Sequence, residues 1–185
     1  MNSDHDTYCA SPEWAELLAG EVLPWGLAGL DLSGGHVLEL GGGFGASTAY
    51  LVDRAGRLTV LEADPALAAG LANRFGSVDV RHGDATAVPV PDGSFDAVVC
   101  FTMLHHVSPV ASQDVLFAEA ARVLRPGGWF AGTDSLGSDE LRQFHNGDIY
   151  QPVDPAGLPD RLRAAGFVEV DIERGERRFR FRART

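Results

Sequence analysis

Five short apolar runs, separated by segments with helical periodicity, restrict this chain to an α/β fold. The runs are continuous in Val, Leu and Phe, which is typical of strands buried on both faces of a parallel sheet. A strand, helix, strand order repeated along the chain predicts a mainly parallel sheet with right-handed crossovers. The predicted strands span residues 36–40, 57–63, 78–83, 95–101 and 128–134.

The intervening segments predict helices whose starts carry recognisable signals. Asp64 and Ser108 are expected to be N-caps, because each is followed by a proline, Pro65 or Pro109, which is favoured at the first helical position. The amphipathic segment 12–23 predicts a further helix, which either covers an edge of the sheet or closes over a site. The predicted helices after the first strand span residues 46–54, 65–75, 109–124 and 158–165.

The C-terminal segment predicts a β-hairpin centred on Gly175, because apolar residues alternate with polar ones on both sides of it. The hairpin would bring the sheet to seven strands and make one strand antiparallel to its neighbours. Its exposed edge is a candidate homodimer surface. The last strand also carries a row of arginines that either binds an anion or, as we expect, forms the charged outer face of an edge strand. The row consists of Arg178, Arg180, Arg182 and Arg184.

Length and composition predict one domain and exclude several functional classes. The 185 residues divide into an N-terminal helical segment, 1–35, a core, 36–134, and a C-terminal part, 135–185. The formal net charge of −11 argues against nucleic acid as a partner. All 15 basic residues other than histidine are arginines, which excludes a Walker phosphate loop and a Schiff-base lysine.

The two cysteines and the absence of a long apolar run predict a cytoplasmic protein without a membrane anchor. Cys9 and Cys100 lie far apart in the sequence, and neither belongs to a recognisable metal-binding motif, so no metal site is expected. No apolar run approaches the roughly 18 residues that a membrane span requires.

The stretch VLELGGGFGAS predicts a cofactor loop after the first strand. Gly41, Gly43 and Ala46 match the GxGxxG/A fingerprint, and Glu62 follows at the end of the second strand, where an acid would bind ribose hydroxyls. This pattern alone leaves open NAD and other adenosine cofactors. Glu39 just before the glycines favours a cofactor with a cationic group over one with a pyrophosphate.

The ordered motifs from about residue 35 to 134 resemble those of class I S-adenosylmethionine-dependent methyltransferases, of the small-molecule type that includes the ubiquinone and menaquinone C-methylases. The matching stretches are ELGGGFG, VLEADP, HGDATAVPVPDGSFDAVVC, LHHV and ARVLRPGG. The resemblance implies a Rossmann-like methyltransferase fold, with helices on both faces of the sheet, in which the core binds S-adenosylmethionine, Glu62 holds the ribose and Asp84 lies near the adenine. The cofactor-binding residues that it implies are Glu39, Gly41, Gly43, Gly45, Glu62, Ala63, Asp84, Ala85 and Phe101.

The resemblance further implies transfer of the sulfonium methyl group to a small-molecule acceptor, with S-adenosylhomocysteine as product. Segment 1–35 could then be a lid, and segment 135–185 would help to form the acceptor side. An NAD(P)-dependent oxidoreductase and a non-catalytic cofactor-binding module are the alternatives. Methylation of an exocyclic amine is disfavoured, because the characteristic Asn/Asp-Pro-Pro-aromatic loop is absent, and Cys100 lacks the context of a cytosine-methylating nucleophile.

The candidate general bases are three histidines, His105, His106 and His145, because imidazole titrates near neutral pH. The first two follow the fourth strand, at the edge of the sheet where open α/β folds bind ligands. His145 lies in the irregular segment after the fifth strand. Residues that could shape the acceptor pocket are Tyr8, Cys9, Trp14, Asp148 and Tyr150.

Overall fold

The computed structural model describes residues 2–185 and contains one seven-stranded sheet in the order β3-β2-β1-β4-β5-β7-β6. Strand β7 runs antiparallel to β5 and β6, whereas the other neighbouring strands are parallel. This confirms the predicted fold class. The strands are β1 His36–Leu40, β2 Arg57–Glu62, β3 Asp79–His82, β4 Phe95–Phe101, β5 Leu124–Ser135, β6 Glu169–Arg174 and β7 Arg178–Arg184.

In the described part of the chain, eight α-helices accompany the sheet, together with a π-helical turn, Leu18–Val22, and a 3-10 turn, Leu104–His106. Within residues 2–185, no helix combines the length and the apolar character that crossing a membrane would require. The α-helices are α1 Ser3–Cys9, α2 Pro12–Leu17, α3 Leu23–Gly26, α4 Ala46–Leu51, α5 Pro65–Arg74, α6 Val110–Val123, α7 Asp139–Phe144 and α8 Leu158–Ala164.

One of the two predicted N-caps is confirmed and the other is wrong. The Asp64 carboxylate accepts hydrogen bonds from the first-turn amides of α5, at 2.7 and 3.0 Å. Helix α6 instead begins at Val110, and its N-cap is Pro109 rather than Ser108, with no side-chain capping bond. Pro109 has an extended ψ of −176°, so it cannot be the first helical residue.

The predicted helix over residues 12–23 is interrupted rather than continuous. It consists of α2, the π-helical turn and α3, and its apolar residues Leu18, Val22 and Leu23 are buried. They belong to the same core as Val37 of β1, on one face of the sheet. The segment therefore covers the sheet, and the π-helical turn changes which side chains point inward. Helices α1 and α7 were not predicted from the sequence.

Apolar side chains alternate between the two faces of the strands and form a core on each face. In β1, Leu38 and Leu40 belong to the core on one face, whereas Val37 belongs to the core on the other. Helices α6 and α8 cover the first face, and α4, α5 and the N-terminal segment cover the second. The continuous apolar runs thus fill both faces, as expected for internal parallel strands.

The arginine row lies on an interior strand, because β7 pairs with β5 on one side and with β6 on the other. The expectation that the row belongs to an edge strand is therefore wrong; β6 is the edge. Acidic residues of β6 pair with three of the four arginines, which offsets the charge of the row at that position. The pairs are Arg180 with Glu173, Arg182 with Asp171 at 2.8 Å, and Arg184 with Glu169 at 3.4 Å.

Candidate active site

A cavity of about 1370 Å³ lies at the carboxyl ends of β1, β2 and β4. The glycine loop after β1 lines one part of the cavity, and the residues that follow β2 and β3 continue this wall. The 3-10 turn, α1 and the segment after α7 line another part. One continuous space therefore connects the predicted cofactor loop with the predicted bases.

The glycine loop is attached to the end of β2 by a backbone hydrogen bond. The Gly43 amide donates to Oε2 of Glu62 at 2.8 Å, and Gly43 has a φ of 52°, in the left-handed region that favours glycine. A Cβ at Gly43 would meet no atom within 4 Å, so this part of the loop faces open space. A Cβ at Gly41, by contrast, would lie 2.6 Å from Cγ of Met103.

Both carboxylate oxygens of Glu62 accept backbone hydrogen bonds, although the side chain is only 7% exposed. Oε2 accepts from Gly43, and Oε1 accepts from the Asp64 amide at 2.9 Å. A carboxylate has about four lone-pair positions, so each oxygen retains capacity for one more donor. Since Glu62 also lines the cavity, it can bind a pair of ligand hydroxyls.

Glu39 is fully buried and its carboxylate faces α4. It accepts hydrogen bonds from Oγ of Ser47 and, at 2.6 Å, from Oγ1 of Thr48. Burial raises the pKa of Glu39 to about 7; the bonds from Ser47 and Thr48 oppose this rise, and the nearby charge of Glu62 adds to it. Glu39 thus connects β1 to the helix that follows the glycine loop, and it lies outside the set of side chains that form the cavity wall.

Four of the remaining predicted cofactor residues line the cavity, namely Ala63, Asp84, Ala85 and Phe101. Oδ1 of Asp84 accepts from the amide and the hydroxyl of Thr86, both at 2.8 Å, which leaves Oδ2 available to a ligand.

Gly45 supports the loop from behind. It is the N-cap of α4 and has a φ of 85°, and a Cβ there would lie 2.9 Å from the side chains of Leu71 and Phe75. Helix α4 has no side-chain capping bond. Its first amides are therefore free of a side-chain acceptor.

Four histidines from three distant segments meet at the other end of the cavity, and we call them the histidine cluster: His5, His105, His106 and His145. The ring centroids of His105 and His106 lie 4.2 Å apart, and those of His5 and His145 lie 4.5 Å apart. The structure thus brings together all three predicted bases. His5 was missed by sequence reasoning, because the polar segment that carries it has no motif and lies about 100 residues or more from its partners.

His105 is held by a buried carboxylate. Oδ1 of Asp134 lies 2.6 Å from Nδ1 of His105, and Oδ2 accepts from the His105 amide at 3.1 Å. Asp134 is completely buried at the end of β5. This pairing places the proton on Nδ1, so Nε2 carries the lone pair. A positioned imidazole backed by a carboxylate is an arrangement that can accept a proton from a substrate.

The other predicted bases are held in the uncharged form. Burial, followed by the neighbouring imidazoles of His105, His5 and His145, lowers the pKa of His106 to about 2. Burial also lowers the pKa of His145, against a hydrogen bond to the carbonyl of Leu141. Imidazoles packed this closely cannot all carry charge, because like charges repel strongly where water is excluded.

The predicted acceptor-side residues all line the cavity, namely Tyr8, Cys9, Trp14, Asp148 and Tyr150. The N-cap of α1, Asn2, is joined to the end of α7 and the residues after it, because its side-chain Nδ2 donates to the carbonyls of Phe144 and Asn146 at 2.9 and 3.2 Å. Cys100 is buried, and burial raises the pKa of its thiol well above the usual value, which agrees with its not being a nucleophile.

Comparison with known proteins identifies relatives of this chain. A 37% identical match over 146 residues is a probable S-adenosylmethionine-dependent methyltransferase of Mycolicibacterium smegmatis; it covers 75% of this chain and 54% of the relative. A demethylmenaquinone methyltransferase of Beutenbergia cavernae is 36% identical over 108 residues, 56% of this chain and 44% of that protein. The chain therefore spans about half the length of these curated relatives.

A solved structure confirms the fold. The N-methyltransferase NodS from Bradyrhizobium japonicum, in complex with S-adenosyl-L-homocysteine, superposes with a TM-score of 0.72 at 20% identity and covers 99% of this chain and 92% of its own. The family model described as a methyltransferase domain matches residues 38–132, which include the glycine loop, Glu62, Asp84 and the histidine pair. The chain belongs to the methyltransferase-domain family.

Proposed function

We propose that this protein transfers the sulfonium methyl group of S-adenosylmethionine to a small-molecule acceptor. The observation that carries the proposal is that one cavity contains both the Glu62-anchored glycine loop and the His105–Asp134 pair. The family assignment supports methyl transfer over the NAD(P)-dependent alternative. Relatives that are named as quinone and fatty-acid methyltransferases support a small acceptor.

In this proposal the cofactor lies along the carboxyl ends of β1, β2 and β4. Glu62 accepts hydrogen bonds from the ribose hydroxyls, and Oδ2 of Asp84 accepts from the adenine amino group beside Ala85 and Phe101. The backbone of Gly41 and Gly43 and the start of α4 surround the methionine portion, and Gly45 supports this loop from behind. Glu39 supports this loop from below without contacting the cofactor, because it holds α4 through its two hydroxyl bonds.

Methyl transfer then proceeds as an in-line displacement at the methyl carbon. The acceptor atom forms a bond to the methyl carbon as the carbon–sulfur bond breaks, and the electron pair of that bond remains on sulfur. Nε2 of His105 takes the proton of the acceptor, so an acceptor with a phenol, quinol, alcohol or thiol group fits the site. The protein mainly aligns the reactants and excludes water, because sulfonium is already a good leaving group.

The test is a two-step measurement on the purified chain. Calorimetry with S-adenosylhomocysteine establishes whether the cofactor binds, and labelled S-adenosylmethionine is then incubated with phenols, quinols, thiols, amines and carboxylates. Binding with turnover of any acceptor supports the proposal. Binding without turnover across the panel favours the non-catalytic module, and no binding by a folded sample contradicts both.

We expect Glu62→Ala to weaken S-adenosylhomocysteine binding by about 1–3 kcal/mol, because hydrogen bonds to a buried charged acceptor are lost. The measurement is isothermal titration calorimetry. The matched control is Asp64→Asn, which leaves Glu62 and its bond from the residue-64 amide in place and keeps an N-cap for α5. Equal losses in the two variants would contradict a specific role of Glu62 in cofactor binding.

A further inference from the structure

The histidine cluster contains more nitrogen ligands than a single general base requires. His5 belongs to α1, His106 to the 3-10 turn after β4, and His145 follows α7. Each of these side chains offers a ring nitrogen, and the three nitrogens lie within 4.8 Å of one another. His105 is adjacent but is already paired with Asp134.

We propose that His5, His106 and His145 bind one divalent first-row transition-metal ion, with Zn²⁺ as the reference metal. The family assignment does not imply this site, and the site goes beyond methyl transfer. No metal site was expected from the sequence. Tetrahedral Zn²⁺ with nitrogen ligands at about 2.0–2.1 Å needs ligand atoms about 3.4 Å apart. Because the three nitrogens lie within 4.8 Å of one another, metal binding requires rotation of the side chains to bring them to that spacing.

Hydrogen bonds hold the rings of His5 and His145 in the orientation that is typical of metal-binding histidines. Nδ1 of His5 lies 3.2 Å from Oδ2 of Asp148, and Nδ1 of His145 lies 2.7 Å from the carbonyl oxygen of Leu141. Each contact places a proton on Nδ1 and leaves the lone pair on Nε2. Metal-binding histidines almost always donate their second nitrogen to a carboxylate or a backbone carbonyl in this way.

Nε2 of His145 provides the second, independent observation. The side chain is 4% exposed, and Nε2 is buried without a hydrogen-bond partner among the described residues. An unsatisfied buried polar atom costs free energy, so native proteins rarely retain one without a reason. A metal ion between the three rings would satisfy this atom.

The ligand set also indicates the class of metal. Three imidazoles without a thiolate in the set suit Zn²⁺, Cu²⁺, Ni²⁺ or Fe²⁺, whereas Mg²⁺ and Ca²⁺ prefer oxygen ligands. Three protein ligands leave a fourth position for water or a substrate atom. Since all three histidines line the cavity, that position is open to the acceptor side.

The experiment uses the untagged full chain, freed of metal with a chelator and titrated with Co²⁺ as a spectroscopic probe. We expect one Co²⁺ per chain, with a visible d–d spectrum that Zn²⁺ abolishes by displacement. His5→Gln and His145→Gln should each weaken Co²⁺ binding at least about tenfold, as should the positioning variant Asp148→Asn. His82→Gln is the matched control, because that histidine is exposed and outside the cluster. The Co²⁺ affinity of this variant should stay within about twofold of the wild-type value.

Thermal unfolding of the metal-free variants checks that each remains folded. If a histidine variant does not fold, Asp148→Asn takes its place in the comparison. The inference is overturned if the wild-type chain binds no Co²⁺ with one-to-one stoichiometry, or if the control loses as much affinity as the cluster variants. S-adenosylhomocysteine binding, measured on the same samples, separates the two proposals. A chain that binds this product but no metal overturns only the metal site, and the reverse result overturns only the methyltransferase proposal.

Discussion

His105→Ala is expected to lower kcat for methyl transfer by about 10²–10⁴-fold, the usual contribution of a positioned general base. The expectation applies to an acceptor whose attacking atom carries a proton. The affinity for S-adenosylhomocysteine should remain close to that of the wild-type chain, because His105 contacts the acceptor end of the cavity rather than the glycine loop. Initial rates with labelled cofactor and product-binding calorimetry provide the two measurements.

The controls for this prediction separate proton transfer from loss of structure. Added imidazole should restore part of the activity of His105→Ala, since the substitution leaves space for a free base. Asp134→Asn removes the carboxylate that orients His105 and should lower kcat more than it changes KM. If His105→Ala retained full turnover, or if imidazole restored nothing while the variant bound product normally, His105 would not be the base.

Glu39→Gln is expected to change how stability depends on pH. The folded-state pKa of Glu39 is raised to about 7 from an ordinary value of 4.5. Between these values the unfolded chain releases the proton while the folded chain retains it. The wild-type free energy of unfolding should therefore fall, relative to that of Glu39→Gln, by about 3 kcal/mol as pH rises from below 4.5 to above 7.

Chemical denaturation of both proteins at several pH values measures this difference. Asp64→Asn is an informative comparison, because hydrogen bonds from the Leu67 and Ala66 amides lower the pKa of the exposed Asp64 carboxyl. The stabilisation that Asp64 supplies should therefore be present above its ordinary pKa and be lost as pH falls. This pH dependence has the opposite sign to that of the Glu39 contribution. If the difference in free energy of unfolding between the wild-type chain and Glu39→Gln stayed constant across pH, the raised pKa of Glu39 would be contradicted.

Local patterns predicted much of the sheet and of the cavity wall at the glycine loop. Strands β1 and β4 begin and end where the apolar runs predict, because a run buried on both faces is a strong local signal. The fifth strand was instead predicted to begin at Gly128, whereas β5 begins at Leu124, with a register shift opposite β4. Such bulges depend on a partner strand and are not visible in the sequence of one segment.

The end of the cavity at the histidine cluster was predicted less completely. Two of its elements, α1 and α7, are short and polar, and their positions depend on contacts such as that of Asn2 with Phe144 and Asn146, more than 140 residues away. Helix propensity is weak for such short segments, so tertiary contacts determine whether they form.

The sequence by itself determined the order of the strands and of the α-helices between β1 and β5, the glycine loop, and the placement of Glu62 and of the His105–His106 pair at the carboxyl ends of the strands. Each of these follows from spacing within a short segment. Only the tertiary structure decided that Glu39 is buried against α4, that β6 rather than β7 is the edge, and that His5 joins His106 and His145. The physical reason is that burial, strand pairing and ligand convergence are properties of contacts between distant segments, which local periodicity does not encode.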